Sequence, residues 1–95
     1  MKVTWTKLAK QDLERIHFYI AKDDKTAALK VISRIYNSVH TQLVIAPLSG
    51  REGRVKTTRE LVLSDIPYII TYRVVDEEIQ IVRVLHTSLQ WPEKF

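Results

Sequence analysis

The residues of this chain that could take part in chemistry or binding are mainly basic and aromatic. The densest group lies between residues 51 and 60 and consists of Arg51, Arg54, Lys56 and Arg59. A second, looser group follows toward the C-terminus and consists of Arg73, Arg83, His86 and Trp91. Positive charge of this kind attracts phosphate backbones or acidic protein segments without distinguishing between them. A solvated loop and strand edge would explain the first group equally well, because lysines and arginines are common on surfaces.

Cleavage of RNA without a metal ion is one chemistry that such residues could support. It needs a general base, a general acid and positive charge at the scissile phosphate. His86, with Arg83 close by in the sequence, could supply part of this set, or it could simply pack or hydrogen-bond where a strand ends. Trp91 is open to two interpretations in the same way. If exposed, it would be a binding anchor of the kind enriched at interfaces, and if buried it would pack in the core.

Other chemistries lack the residues that they require. The absence of cysteine excludes disulfides, thiolate zinc sites and cysteine nucleophiles. The three histidines, His17, His40 and His86, lie in different predicted elements and not at the spacing of a zinc-binding helix, so we expect no metal ion. Gly50 and Gly53 cannot form the glycine-rich turns that bind dinucleotides or nucleoside triphosphates. We therefore expect no cofactor.

Length and charge limit the architecture and the location. A chain of 95 residues is expected to form one domain over residues 1–95. Its net charge of +4 is unevenly distributed, because residues 1–60 contain twelve bases and six acids whereas residues 61–95 contain three bases and five acids. No secretory signal follows the N-terminus, and no stretch of about 18 apolar residues could span a membrane. These features predict a soluble, cytoplasmic protein.

Hydrophobic periodicity predicts two helices after a short strand at Val3–Trp5. The first helix covers residues 7 to about 22, with Thr6 as its N-cap, and its apolar positions are Ala9, Leu13, Ile16 and Ile20. The second begins after Asp23 and Asp24 and keeps a spacing of three and four until Pro47 ends it. Because the link between them is short, the two helices should form an antiparallel hairpin.

After Gly50 the apolar period changes from 3.6 to 2, which predicts three strands at residues 54–63, 68–75 and 78–86. The expected fold is α+β, in the order β-α-α-β-β-β, with an N-terminal strand and a helical hairpin packed on a small, mainly antiparallel sheet. Apolar residues point to both faces of the middle strand. We therefore expect the helices to cover one face and another chain, a partner peptide or a second copy, to cover the other.

Several short motifs occur in an order that resembles one known superfamily. They are Gly50-Arg51-Glu52-Gly53-Arg54, Thr58-Arg59-Glu60-Leu61-Val62, Pro67-Tyr68-Ile69-Ile70, Tyr72-Arg73-Val74, Arg83-Val84-Leu85-His86 and Trp91-Pro92. With the two preceding helices, this order resembles the RelE/ParE superfamily of toxins over essentially the whole chain.

The resemblance implies a toxin of a type II toxin-antitoxin system. In such systems the C-terminal segment of a cognate antitoxin wraps the toxin, which implies a hetero-oligomer with that antitoxin and no membrane partner. The expected antitoxin-binding residues lie on the first helix and are Leu13, Ile16, Tyr19 and Ile20. The excess positive charge would favour capture of an acidic antitoxin segment.

The superfamily divides by target, and departures from the ribonuclease pattern favour the ParE-like branch, which inhibits DNA gyrase. In the ribonuclease members an arginine typically follows the aromatic residue that aligns with Tyr68, whereas this chain has Ile69. Arg59 is followed by an acidic residue, and Thr87 follows His86. A toxin of this branch acts by protein contact rather than as an enzyme, and the expected target-binding residues are Arg51, Arg54, Arg59, Arg83, His86 and Trp91.

Two alternatives remain open. The first is a ribosome-dependent mRNA endonuclease, similar to RelE, in which the catalytic residues would be Arg59, Arg73, Arg83 and His86. The second is a degenerate toxin that is retained only as a binding module. The two differ in whether the chain cuts translated mRNA and whether its expression arrests growth.

Overall fold

A computed structural model describes residues 1–89, 91–92 and 95 of the chain. Its elements are β1 (Lys2–Trp5), α1 (Lys7–Ala21), α2 (Lys25–Asn37), a π-helical stretch (Ser38–Leu43), β2 (Arg51–Glu52), β3 (Arg59–Val62), β4 (Tyr68–Val75) and β5 (Glu78–His86). The five strands form one sheet in the order β1-β5-β4-β3-β2. β1 runs parallel to β5, and the other neighbours are antiparallel. The α+β class expected from the sequence is confirmed.

The helix starts follow the predicted caps. The Thr6 hydroxyl accepts a hydrogen bond from the Ala9 N–H at 3.1 Å, and the Asp24 carboxylate accepts one from the Ala27 N–H at 3.0 Å. The second helical run ends at Ile45, before Pro47 as predicted, but it widens from α to π geometry at Ser38. There the Ser38 hydroxyl donates to the carbonyl of Arg34 at 2.7 Å, a type of bond that perturbs helices. The apolar spacing does not reveal this change of turn.

The strand predicted over residues 54–63 is shorter in the structure, because residues 53–58 form a turn. The Gly53 N–H donates to the Thr58 carbonyl at 2.8 Å and closes this loop. Thr57 has a positive φ of 70°, which a regular strand does not allow. The short strand β2 precedes the turn and pairs with Arg59 and Glu60 of β3.

The other two predicted strands match β4 and β5. The turn between them, Asp76-Glu77, has positive φ at both residues, 48° and 61°. This is the pattern of a type I′ turn, whose twist suits a two-residue hairpin. A register shift at Thr71/Tyr72 adds one residue to β5 at this point of the pairing. The ends of β4 and β5 therefore meet with Tyr68 opposite His86.

One face of the sheet packs against the helices and forms the main core. Its fully buried side chains are Ile35, Val39, Leu43, Ile70, Tyr72, Ile79 and Ile81. The Tyr72 hydroxyl donates to the carbonyl of Pro47 at 2.7 Å and accepts from the N–H of Gly50 at 2.9 Å. A Cβ at Gly50 would lie 2.5 Å from the hydroxyl oxygen, so glycine is required there. Tyr72 thus fixes the loop that leads into the basic segment.

The middle of the opposite face is covered by the chain itself, so the expectation that another chain must cover it is wrong there, whereas Val62 and Val75 at the strand ends stay 43% and 42% exposed. Val55, Ile69, Val82 and Leu85 are all buried within this chain. Residues 53–58 fold back toward the face, where Arg73 donates to the hydroxyl of Thr57 at 3.3 Å. The large apolar side chains that stay exposed lie mostly on the helices, and they include Leu8, Phe18, Tyr19, Leu29 and Tyr36. The periodicity of β4 could not show that a distant turn would supply the cover.

Asp12 of α1 joins the helical hairpin to the last strand. β1 pairs with Glu78–Ile81, so among the described residues no strand covers the later half of β5 on that side. There the Asp12 carboxylate accepts the N–H of Val84 at 2.9 Å and two guanidinium N–H bonds from Arg83 at 2.8 and 3.0 Å. The hydrogen bond to Asp12 raises the pKa of Arg83 above its usual value. Asp12 is 3% exposed, which makes this pair a buried connection.

Replacing Asp12 by asparagine should destabilise the protein by about 3 kcal/mol, because it leaves the largely buried Arg83 without its counter-charge. Urea unfolding should show a lower midpoint with an unchanged slope. The matched control is Asp65→Asn, which removes an exposed ion pair with Arg34 and should shift the midpoint far less. Equal losses in the two variants would contradict a special role for Asp12.

Candidate functional site

The predicted basic segment is partly neutralised from within. The carboxylate of Glu60, 1% exposed, accepts hydrogen bonds from the Arg51 side chain at 2.8 and 3.0 Å and from the Arg54 backbone N–H at 2.8 Å. The oxygen that accepts the Arg54 N–H, Oε2, also lies 3.5 Å from Arg54 Nε. Burial alone would raise the pKa of Glu60, but these bonds and charges lower it overall. Two arginines thus share one carboxylate, and one positive charge remains in excess.

Trp91 lies beside this cluster. The Arg54 guanidinium stands 3.9 Å from the centroid of the Trp91 ring, within the range of a cation–π contact. The side chains of Arg51 and Arg54 are about half exposed. The structure therefore brings Arg51, Arg54 and Trp91 together in one partly exposed patch, which we call the Arg54 patch.

Arg59 holds the preceding loop. Its guanidinium donates to the carbonyl of Gly50 at 2.9 Å and, more weakly, to that of Leu48 at 3.4 Å. Arg59 stands opposite Tyr72 in the sheet, whereas Arg73 is the next residue of β4 and so points to the other face. The side chain of Arg59 thus stabilises the loop that leads into the basic segment.

The four residues of the possible RNA-cleaving set do not converge. His86 stands opposite Tyr68 and Arg59 stands opposite Tyr72, so they are separated by four residues of β4, or about 13 Å along the strand. Arg83 is held by Asp12, as described above. The structure therefore gives no common point at which these groups could act on one phosphate.

A pocket of about 380 Å³ lies between α1 and the end of β5, and we call it the α1–β5 pocket. Its lining residues are Asp12, Arg15, Ile16, Tyr19, Tyr68, Val84, Leu85, His86, Ser88 and Leu89. Two predicted antitoxin-binding residues, Ile16 and Tyr19, thus meet one predicted target-binding residue, His86. Ile16 is nearly buried, whereas Tyr19 is 72% exposed.

The other two predicted antitoxin-binding residues lie elsewhere. Leu13 lines a separate groove with Phe18 of α1 and Ile32 of α2, and Ile20 packs against the main core. Sequence reasoning missed Arg15, Tyr68 and Leu89 as members of the α1–β5 pocket. The only signal for them was the position of Arg15 four residues before Tyr19, on the same side of a helix.

His86 is held by its own turn and by Tyr68. Its Nδ1 accepts the N–H of Ser88 at 3.1 Å, so the neutral ring carries its proton on Nε2. The ring meets that of Tyr68 edge-on, with centroids 5.3 Å apart. Burial, with a smaller effect of Tyr19, raises the pKa of the Tyr68 hydroxyl, which therefore stays protonated at neutral pH. Because the α1–β5 pocket has apolar walls and the hydrogen-bond donors of Tyr68 and His86, it is better suited to binding a ligand than to abstracting a proton from one.

In residues 1–89, 91–92 and 95, no three metal-ligating side chains of histidine, aspartate or glutamate come together as a metal site. Over the same residues, no helix combines the length and the apolar character needed to cross a membrane.

Comparison with known proteins gives consistent matches. Residues 3–91 match the family described as the ParE toxin of the type II toxin-antitoxin system, parDE. The chain is 48% identical over 92 residues to toxin Y4kP of Sinorhizobium fredii (strain NBRC 101917 / NGR234), covering 97% of this chain and 94% of that protein. It is 36% identical over 87 residues to toxin RelE2 of Caulobacter vibrioides (strain ATCC 19089 / CIP 103742 / CB 15), covering 92% and 96%.

A solved structure matches the fold as well. It is described as the chromosomal ParDE TA system from P. aeruginosa, with a TM-score of 0.80, 32% sequence identity, and coverage of 93% of this chain and 97% of that one. The match to the family covers nearly the whole chain, and the relatives share its length. The chain therefore belongs to the ParE family of toxins of type II toxin-antitoxin systems.

Proposed function

We propose that this toxin arrests growth by inhibiting DNA gyrase through protein contact, without catalysis, and that a cognate antitoxin neutralises it in the cytoplasm. The observation that carries the proposal is the separation of Arg59, Arg73, Arg83 and His86, together with membership of the ParE family. Arg59 and Arg83 already bond to groups of the protein. A ribonuclease would need such groups gathered around one phosphate.

The Arg54 patch is the proposed main contact with gyrase. It combines an aromatic ring with a partly exposed arginine, and both residue types are enriched among the side chains that dominate binding energy. Glu60 hydrogen-bonds to the Arg51 side chain and lies 3.5 Å from Arg54 Nε, so part of the freedom of these side chains is already lost before binding. Of the other predicted target-binding residues, Arg59 and Arg83 act by holding the loop and the strand, and His86 lies in the α1–β5 pocket.

The antitoxin is proposed to cover the exposed apolar side of the helical hairpin and the α1–β5 pocket. Phe18 and Tyr19 are each 72% exposed; Tyr19 lines the α1–β5 pocket, and Phe18 lines the separate groove with Leu13 and Ile32. The solved neighbour is described as a ParDE system, which supports a hetero-oligomer of toxin and antitoxin. Tyr19 and Ile16 would make direct contact there, whereas Leu13 and Ile20 would support the surface from below.

A supercoiling assay with purified gyrase tests the target. Excess toxin should inhibit supercoiling, and Trp91→Ala should weaken the inhibition about tenfold, because the anchor over Arg54 is lost. The matched control is Lys30→Ala, an exposed residue of α2 far along the chain from the patch, which should inhibit as the unmodified toxin does. Unchanged supercoiling at excess toxin would refute gyrase as the target, and equal effects of both variants would refute the patch.

Cleavage of mRNA on the ribosome remains a second candidate, because a relative is named toxin RelE2 and His86 lies in an open pocket beside Arg15. We expect primer extension on a translated message to show no toxin-dependent cuts, since the basic residues do not converge. We also expect growth arrest to persist in a His86→Gln variant. Cuts that appear with the toxin and disappear in that variant would establish the enzyme instead.

A further inference from the structure

We propose that the α1–β5 pocket binds a bulky apolar side chain that stands next to a carboxylate in an extended segment of a partner protein. This inference rests on the proposed neutralisation by an antitoxin, whose segment would be the occupant. It adds that the segment must carry an apolar side chain beside a carboxylate, and that the α1–β5 pocket binds both groups.

The walls of the pocket select an apolar group. Ile16 comes from α1, Val84 comes from β5 and Tyr68 comes from β4. A volume of about 380 Å³ accommodates one large side chain with part of its backbone. Because α1 crosses β5 where β1 has ended, the pocket lies beside a strand edge and is open to solvent on one side.

The rim of the pocket selects a negative charge. Asp12 is the acidic residue of the lining, and its carboxylate is already held at 2.8–3.0 Å by Arg83 and the Val84 N–H. Arg15 stands farther away, 3.7 Å from Asp12, and its side chain is 73% exposed. The charge of Arg83 balances that of Asp12, so the charge of Arg15 remains for a ligand.

His86 adds a second donor to the rim. Since its Nδ1 accepts the N–H of Ser88, its Nε2 carries the proton in the neutral ring. The guanidinium of Arg15 and the imidazole of His86 are therefore both donors, and a carboxylate accepts from such groups. An apolar ligand without an acid would leave this part of the rim unused.

The surroundings favour a peptide over a free small acid. Leu8, Arg15 and Tyr19 lie at positions i, i+7 and i+11 of the α1 region, which is one side of a helix. Leu8 and Tyr19 are both substantially exposed, and Leu89 adds an exposed apolar side chain from the turn after β5. The apolar strip thus extends beyond the pocket, and only a longer chain could cover it.

NMR titration of the full chain with small probes tests the chemistry. N-acetyl-L-phenylalanine should shift the amide signals of Ile16, Tyr19, Val84 and His86. N-acetyl-L-phenylalaninamide, which lacks the carboxylate, should bind about fivefold more weakly. Arg15→Gln should reduce this difference between the probes, because only His86 then remains as a donor, and the matched control Lys30→Gln should retain the full difference.

A longer probe tests the class of partner. The blocked peptide acetyl-Leu-Phe-Glu-Leu-amide should bind at least tenfold more tightly than N-acetyl-L-phenylalanine and should also shift Leu8 and Leu89. If the peptide binds no better than the single residue, the occupant is a free acid and the inference fails. Shifts centred elsewhere, or equal binding of the charged and uncharged probes, would overturn it as well. These measurements use neither gyrase nor antitoxin, so their failure is distinct from failure of the proposed function.

Discussion

The carboxylate of Asp12 holds together two parts of the chain that are 71 residues apart in sequence. It binds the side chain of Arg83 and the backbone of Val84, at the point where β1 no longer covers the edge of β5. An uncovered strand edge invites pairing with other chains, and here a helix occupies it instead. The same contact sets the distance between α1 and the end of β5. The pocket with its arginine rim exists because this distance is held.

The positive charge of the protein is interpreted differently once the partners of its arginines in the structure are known. Glu60 binds Arg51 and Arg54, Asp12 binds Arg83, and backbone carbonyls bind Arg59. Much of the positive charge that suggests a nucleic-acid ligand is therefore used inside the fold. The positive charge that remains exposed lies in small patches, each beside an aromatic ring or an apolar pocket. Such surfaces suit protein partners better than a uniform phosphate backbone.

The sequence predicted those features that depend on local spacing. The period of the apolar residues located α1, and the caps at Thr6 and Asp24 located both helix starts. The turn at Asp76-Glu77 located the hairpin of β4 and β5. Features that depend on distant contacts could not be predicted in this way. The turn over residues 53–58 interrupts an alternating pattern, and Val55 covers a sheet face that the pattern left open. Likewise, no regular spacing in the sequence predicts that Arg15 and Tyr68 line the same pocket.

The position of β5 between β1 and β4 has a consequence for how the toxin is made. β1 is paired by β5, so during synthesis β1 cannot pair and α1 cannot pack on β5 until residues 78–86 are made, although α1 can already pack on α2. Nascent or truncated chains that stop before β5 lack both the parallel pair and the Asp12 connection. They cannot bring α1 to the sheet, and their exposed apolar surface makes them substrates for proteolysis or aggregation. The topology thus delays this part of the fold until residues 78–86 have been made.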